Sequence, residues 1–499
     1  MKLTPTKART AVAAAAAAAL SATVLGAAGA ASAAPAAATG PATSYLVLAP
    51  RGASTAQAAS RIKAAGGTVT ANYAKIGVVV ARSTNPDFLA KVAGQGVESA
   101  ASTVGLGTKL DEGTIVQAEP AATSDSTGNP TREPLWGLQW DMKQIGVDKA
   151  QAITMGSPDV VVGVLDSGIS STHPDLATQI AKDKSASCLG GVVDTAEKAW
   201  NPTTSSHGTH VAGTIAAAIN GVGIAGVAPG VRVASVKVVN DDGYIYPEAA
   251  VCGFVWAAEH GMQITNNSYY IDPWEFNCRN DARQRPVWQA VQRAIRYSAS
   301  MGVLNVASAG NSNVDLQHKF VDSSSPNDGS YPVEDRTITG ACLDLPAEAP
   351  GVVTVSATGP TQQKSFYSSY GQGVVDVAAP GGDSRVRTDG AASTISDAVL
   401  SSTSVNGVDG WGYMQGTSMA GPHAAGVAAL ALSAHPGLKP SALASLLQRT
   451  AVPLSCPDGV YNPTPLWPNR QTSFEATCTG GARNGFYGAG EVSAYNAVK

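Results

Sequence analysis

The sequence predicts an α/β fold, a three-layer sandwich in which helices cover both faces of a mostly parallel central sheet, preceded by a small α+β domain. Two observations lead to this prediction. From Trp136 onward, short valine-rich apolar runs alternate with longer helical patterns, and such alternation is typical of parallel sheets. Charged residues make up 14% of the 499 residues, against roughly 25% in an average soluble domain, which agrees with a large buried core.

The first 33 residues have the layout of a secretory signal peptide. Three basic residues lie within the first nine, an alanine-rich apolar segment follows over residues 11–28, and Ala31-Ser32-Ala33 fits the small-x-small cleavage rule. A membrane anchor would need a longer and more apolar core than this alanine tract. We therefore predict a secreted, extracellular protein without a membrane partner.

Residues 34–118 contain a small α+β pattern after a low-complexity Ala/Pro/Thr segment. Strand, helix, strand, strand and helix are predicted in that order, over residues 45–48, 54–65, 68–73, 77–81 and 86–93. The pattern alone leaves an unrelated small domain open. Residues 119–133 lack periodicity and are rich in turn-forming residues, so we predict a linker.

The main domain is predicted to span residues 134–499. Its strands are expected over residues 160–165, 231–239, 264–268, 303–307, 352–357 and 374–378. Its long helices are expected over residues 207–218, 247–260, 287–301 and 418–434.

Side chains that could take part in catalysis lie at or next to the ends of four of these elements. Asp166 ends a buried strand, at the edge where open α/β sheets place their sites, and Asn311 follows another strand. His207 begins a helix in the glycine-punctuated run Ser206-His207-Gly208. Ser418 follows Gly416 at the start of an alanine-rich helix, where a free backbone N–H and the helix dipole favour a developing anion.

These four motifs, in the order Asp, His, Asn, Ser, resemble those of the subtilisin-like serine peptidases (subtilases, peptidase family S8) from about Pro134 to the end of the chain. The resemblance implies a subtilisin-like sandwich and a serine endopeptidase in which Ser418 is the nucleophile, His207 the general base and Asp166 its orienting carboxylate. It also implies that Asn311 and the Ser418 N–H hold the oxyanion, and that catalysis requires no cofactor.

Residues 34–118 resemble, by position and element order, the inhibitory propeptide that precedes catalytic domains of this family. The resemblance implies a zymogen whose propeptide assists folding and inhibits the enzyme. We expect Ser418 itself to cut the chain within residues 109–122. Protein or peptide substrates and the chain's own propeptide are the expected partners, and we expect a monomer.

Substrate contacts are predicted on two walls. Ser268, Tyr269 and Tyr270 align with the family's substrate-pairing strand, and Ala309 with Gly310 supplies small residues on the opposite wall. The family usually has a leucine and glycines after the serine. The two tyrosines therefore predict a substrate preference that differs from the family's broad preference for large apolar residues.

A structural calcium ion is the predicted metal. Asp175 and the loop around Asn220 resemble the family segments that bind one, and Glu133 could add a carboxylate. Oxygen ligands of this kind suit calcium. A hydrogen-bonded loop without an ion remains the alternative.

The remaining candidates receive structural interpretations. We expect His173, His210, His423 and Asp383 to serve packing. The six cysteines lack a C-x-x-C spacing, which argues against zinc, and in an exported chain their even number predicts disulfides, with Cys456–Cys478 as the favoured pair. A net charge of −4 is too small to indicate a nucleic-acid partner.

Two other classes of function fit the sequence less well. A serine esterase or acyltransferase usually carries a G-x-S-x-G elbow and the order Ser, Asp, His, and this chain has neither. A non-catalytic binding protein on a decayed peptidase fold should have lost part of the Asp166, His207, Asn311 and Ser418 set, which is intact.

Overall fold

The computed structural model describes residues 42–103, 116–117, 133–271, 274–325, 335–385, 394–463 and 472–499. All of them belong to one compact unit, Gly40–Lys499. The predicted signal peptide, nearly all of the predicted linker and most of the predicted processing segment lie outside the described residues.

The N-terminal elements form a four-stranded antiparallel sheet with the strand order β2-β3-β1-β4. They are β1 (Thr43–Leu48), α1 (Ala56–Ala64), β2 (Gly67–Tyr73), β3 (Val78–Ser83), α2 (Phe88–Val92) and β4 (Ser99–Ser102). The five predicted elements are present, and β4 was not predicted. Its sequence, Ser-Ala-Ala-Ser, has little intrinsic strand preference, so its extended form depends on pairing with β1.

The rest of the chain alternates strands and helices as predicted. In chain order the elements are β5 (Val116–Gln117), α3 (Trp140–Gln144), α4 (Val147–Gln151), β6 (Val161–Asp166), β7 (Ala186–Ser187), α5 (Glu197–Trp200), α6 (His207–Ala216), β8 (Arg232–Lys237), α7 (Pro247–Glu259), β9 (Ile264–Asn267), β10 (Asn277–Cys278), α8 (Arg285–Ser300), β11 (Leu304–Ser308), β12 (Val321–Asp322), β13 (Arg336–Thr337), β14 (Cys342–Leu343), β15 (Val352–Thr358), β16 (Val377–Pro380), β17 (Val399–Val405), β18 (Val408–Met414), α9 (Thr417–Ala434), α10 (Pro440–Thr450), β19 (Val460–Tyr461), β20 (Ala476–Thr477) and α11 (Ala494–Val498).

The central sheet has seven parallel strands in the order β16-β15-β11-β9-β6-β8-β7, which confirms the predicted fold class. Six of its strands lie within a few residues of their predicted bounds, except that β16 begins at Val377 rather than at residue 374, and the two-residue strand β7 was not predicted. Val374 and Val375 both donate their N–H groups to the Gly371 carbonyl, so this part of the valine run forms a turn.

Helices bury both faces of the sheet. Along β6, Val162 and Val164 point into the core shared with α6 and α9, whereas Val161 and Leu165 point into the core shared with α7 and α8. Helix α9 is buried on every side from Thr417 to Leu432. Such a central helix must be apolar all round and narrow, which explains its alanine-rich sequence.

The small N-terminal sheet covers the outer surface of α7 and α8. Leu46, Leu48, Val78 and Val80 belong to the same buried cluster as the apolar residues of those helices. Arg293 of α8 adds polar contacts, since it bonds to the carbonyl of Ala49 at 2.8 Å and to the Glu98 carboxylate at 2.8 Å. The N-terminal unit therefore shares a core with the main domain.

A long hairpin leads into α9. Strands β17 and β18 pair antiparallel and are joined by Asn406 and Gly407, both in the left-handed region with φ of 52° and 76°. Asn-Gly favours this tight hairpin turn, but the sequence analysis did not predict the hairpin. Within the predicted processing segment the structure describes Val116–Gln117, which pairs with β18.

Three disulfides are present among the described residues, and the predicted Cys456–Cys478 pair is one of them. The others, Cys188–Cys252 and Cys278–Cys342, were left open by the sequence. Across the described part of the chain, every helix is too short or too polar to cross a membrane.

Candidate active site

Asp166 and His207 form a buried hydrogen-bonded pair. Both carboxylate oxygens of Asp166 lie 2.9 Å from His207 Nδ1, and both side chains are almost fully buried. Asp166 Oδ1 also accepts the Ser167 N–H at 2.6 Å, which fixes the carboxylate. Because a carboxylate only accepts, His207 carries a proton on Nδ1, and Nε2 is the nitrogen that can exchange protons in the neutral ring.

Glycines allow the loop after β6 to approach the start of α6 this closely. A Cβ on Gly208 would lie 2.4 Å from the Gly168 carbonyl oxygen and 3.0 Å from Asp166 Oδ1. Gly168 has a φ of 107°, and a Cβ there would lie 2.7 Å from the Trp200 carbonyl oxygen. Larger residues would separate the histidine from its carboxylate.

Ser418 lies at the same edge of the sheet. Its Oγ donates to the Ser268 carbonyl at 3.3 Å, and Ser268 directly follows β9. Strand β9 is the neighbour of β6, with Leu165 paired to Asn267, so Ser268 and Asp166 end adjacent strands. The parallel sheet thereby brings Ser418 to the edge that holds the Asp166–His207 pair.

The first turn of α9 has an unusual hydrogen-bond arrangement. Pro422 has no N–H, so it cannot donate to the carbonyl of Ser418 four residues earlier. Ser268 Oγ donates to that carbonyl instead, at 2.9 Å, and receives a hydrogen bond from Asn266 Nδ2. Ser268 therefore holds the backbone of Ser418 in place, a role that the sequence analysis missed although Pro422 signals the unpaired carbonyl.

Asn311 faces the same turn. Its Oδ1 accepts both the N–H of Thr417 at 2.9 Å and the Thr417 hydroxyl at 2.8 Å. Since Oδ1 takes two donors, the amide orientation is fixed and Nδ2 is left to donate into the space beside Gly416, where a Cβ would lie 3.4 Å from it. The structure thus places a side-chain N–H donor beside the N-terminus of α9.

The predicted substrate residues differ in what they can contact. Tyr269 is buried in the core beside α7 and α8, and its hydroxyl donates to Asn267 at 3.0 Å. The ring packs among apolar side chains, so a substrate contact at this residue would be made by its backbone. The substrate role of Tyr269 stays a prediction. Ala309 is fully buried, whereas Tyr270 and Gly310 are partly exposed.

A pair of buried carboxylates lies at the predicted calcium site. Asp175 Oδ2 accepts the Ile224 N–H and the Trp411 indole, and Glu133 Oε1 accepts the Gly221 N–H. The second oxygen of each is buried without a hydrogen-bond partner among the described residues. Burial raises the pKa of Asp175 to about 7, helped by the nearby Glu133, whose own pKa is also raised by burial. No cation of the described residues acts on the pKa of either carboxyl group.

Asn220 lies at the same predicted calcium site. Its Nδ2 donates to the Pro174 carbonyl at 3.0 Å, and its Oδ1 accepts the Val222 N–H. In the described part of the chain, no cluster of three or more His, Cys, Asp or Glu side chains could hold a metal. Any ion here would therefore rely on two carboxylates together with amide and carbonyl oxygens, a donor set that suits calcium.

The other polar candidates are held by the core. His210 donates from Nε2 to the Val399 and Gly412 carbonyls, and burial lowers its pKa to about 3. His173 is bound between Gly410 and Asp175. His423 bridges Met419 and Asp141, and Asp383 accepts two backbone N–H groups.

The chain is similar in sequence to known peptidases. A profile of the Subtilase family matches residues 157–490, about two thirds of the chain. Subtilisin DY of Bacillus licheniformis is 31% identical over 310 residues, which cover 62% of this chain and 90% of subtilisin DY. Fervidolysin of Fervidobacterium pennivorans is 30% identical over 336 residues, 66% of this chain, and the match spans 42% of fervidolysin's length.

Solved structures agree on the architecture. The crystal structure of the epidermin leader peptide processing serine protease of Staphylococcus aureus superposes with a TM-score of 0.65 at 21% identity, covering 92% of this chain and 98% of that one. At this identity the likeness concerns the fold. It extends over the N-terminal unit as well as the main domain.

Proposed function

The chain belongs to the subtilase family, and from that premise we propose that it is a secreted serine endopeptidase that hydrolyses peptide bonds through an acyl-enzyme. The observation that carries the proposal is the buried Asp166–His207 pair, which lies at the same sheet edge as Ser418 at the N-terminus of α9. A peptide carbonyl held beside Ser418 would meet a nucleophile, a base and two N–H donors in one place.

In the proposed mechanism, Ser418 Oγ attacks the carbonyl carbon while His207 Nε2 takes its proton. Asp166 holds the proton on Nδ1 and stabilises the imidazolium. The Ser418 N–H and Asn311 Nδ2 bind the oxyanion. His207 then protonates the leaving amine as the acyl-enzyme forms. A water molecule, deprotonated by His207, attacks the acyl carbon, and His207 returns the proton to Ser418 Oγ as the acid product leaves. Apart from this water molecule, the proposed chemistry uses side chains and backbone of the chain.

Casein cleavage and a sulfonyl fluoride test the proposal. Active protein should cut casein, and the reagent should stop cleavage while adding one sulfonyl group to Ser418, as located by peptide mass spectrometry. Labelling with ester hydrolysis but without peptide cleavage would favour the esterase class. If the protein is not labelled and cleaves neither substrate, the result would favour a binding protein.

We also propose that the protein is made as a zymogen whose residues 34–118 assist folding and inhibit the enzyme. The buried cluster that the N-terminal sheet shares with α7 and α8 supports this, because those helices would expose apolar surface without the sheet. The ion pair of Arg293 on α8 with Glu98 helps to fix the position of the N-terminal sheet on that helix. Secretion and a monomeric state are part of the same proposal.

We further propose that Glu133, Asp175 and Asn220 hold a structural calcium ion, which would supply the counter-charge for the two buried carboxylates. Excess chelator should lower the thermal midpoint of the wild-type protein, since an ion at a hundredfold excess over its dissociation constant stabilises the folded state by about 2.7 kcal/mol. Differential scanning calorimetry with calcium and with chelator measures the effect.

Two variants sharpen the calcium test. Asp175→Asn should make the midpoint independent of calcium, whereas Asp159→Asn, an exposed acid outside the site, should keep the response. A wild-type midpoint that stays the same in chelator, with no calcium found by elemental analysis, would contradict the proposal and favour the hydrogen-bonded loop.

A further inference from the structure

One buried carboxylate close to Gly310 takes no part in the mechanism above. Asp344 is 2% exposed, and its Oδ1 has no hydrogen-bond partner among the described residues. The residue directly follows β14, which pairs with β10 and is joined to it by the Cys278–Cys342 disulfide. Its backbone N–H is anchored by Glu348 Oε2 at 2.7 Å. The disulfide and this hydrogen bond therefore fix the backbone that carries the Asp344 side chain.

Among the described residues, no cation is hydrogen-bonded to Asp344 Oδ1. Glu348 and Glu275 add negative charge, and Lys319 is the cation that acts on Asp344. The Lys319 ammonium is bound by Glu348 and by the Leu316 carbonyl. Burial therefore raises the pKa of Asp344 well above its usual range. A buried carboxylate of this kind is costly, and an arriving cation would remove the cost.

One oxygen of the carboxylate lies beside the place where Gly310 lacks a side chain. A Cβ on Gly310 would have Asp344 Oδ2 and Ser369 Oγ as its nearest neighbours, both at 3.4 Å. Gly310 donates its N–H to Thr417 Oγ1 at 3.2 Å and precedes Asn311. Two side-chain oxygens thus lie beside Gly310, one residue from the amide that would hold the oxyanion.

The acyl residue of a bound substrate carries its side chain next to the carbonyl under attack. If Asn311 holds that carbonyl oxygen, the side chain emerges beside Gly310. We propose that Asp344, helped by Ser369, determines specificity by binding a lysine or arginine side chain immediately before the scissile bond. This inference rests on the proposed peptidase function and adds the class of substrate to it.

Matched peptide substrates test the inference. Four tetrapeptide 4-nitroanilides should differ only in the last residue, as Lys, Arg, Met or Phe, with Met as the neutral counterpart of Lys. We expect kcat/KM to be about 10- to 100-fold higher for Lys and Arg than for Met, because a charged hydrogen bond in a buried site contributes on this order.

Three variants separate specificity from folding. Asp344→Asn should bring the Lys/Met ratio close to one while leaving Met cleavage within a few-fold of wild type. Ser369→Ala, which removes no charge, should lower the ratio by about 3- to 10-fold. Glu275→Gln, a neighbouring buried acid whose carboxylate binds Ser324, should keep the wild-type ratio.

The outcomes are distinguishable. Wild-type protein that cuts after Met or Phe faster than after Lys or Arg would overturn the inference and leave the peptidase proposal intact. A basic preference that persists in Asp344→Asn would overturn it as well. Absence of cleavage of all four substrates, with no sulfonyl labelling of Ser418, would overturn the peptidase proposal and this inference with it.

Discussion

Purified Ser418→Ala protein is expected to remain an uncut precursor that begins near Ala34, and to cleave protein substrates about 10⁶-fold more slowly than the wild type. The magnitude is that known for loss of the nucleophile in subtilisin, a member of the same family. Removing Oγ takes away the atom that forms the acyl-enzyme, and with it the proposed autoprocessing within residues 109–122. Intact mass spectrometry and a casein assay measure the two effects.

The substitution should leave the fold intact. Ser418 Oγ makes a long hydrogen bond of 3.3 Å to the Ser268 carbonyl, while the Ser418 carbonyl keeps its bond from Ser268 Oγ. We therefore expect the uncut Ser418→Ala precursor to fold normally. Alanine also has the highest helix propensity, so it should not disturb the first turn of α9.

A trace of wild-type enzyme provides the control. Added to the Ser418→Ala precursor, it should cut the same segment in trans, which shows that the segment is accessible and that the variant lacks only the nucleophile. Spontaneous release of residues 34–118 by pure Ser418→Ala protein would contradict autoprocessing by Ser418 and point to another protease.

Local signals explain why much of the fold and the catalytic candidates could be predicted. Strands such as β6 are continuous apolar runs, because a strand that is buried on both faces has apolar side chains on both. Asp166 and Asn311 follow such runs, and His207 and Ser418 begin helices. Because parallel strands present their carboxyl ends at one edge, the sequence positions alone bring these residues towards each other.

Side-chain directions could not be predicted in the same way. Tyr269 and Tyr270 are chemically identical neighbours, yet the first is buried and the second is partly exposed. Asp344 follows a two-residue strand that has no periodicity of its own and is held by a disulfide partner far away in sequence. Its proximity to Gly310 is a consequence of tertiary packing, which no local pattern encodes.

Asn311→Asp should lower kcat by about 10²- to 10³-fold with little change in KM. In subtilisin the loss of one oxyanion donor has an effect of this size, since the donor acts on charge that develops only in the transition state. Asp keeps an acceptor for the N–H and hydroxyl of Thr417, so the start of α9 should stay in place. It replaces the Nδ2 donor with an oxygen that repels the oxyanion.

Comparison with Asn311→Ala separates the two roles of this amide. Alanine removes both the acceptor for Thr417 and the donor, so it should lose activity to a similar extent and also lower the thermal midpoint, whereas Asn311→Asp should lose activity alone. Steady-state kinetics and calorimetry on both variants measure this difference. If Asn311→Asp kept wild-type kcat, the oxyanion would depend on the Ser418 N–H, and Asn311 would act only by positioning Thr417.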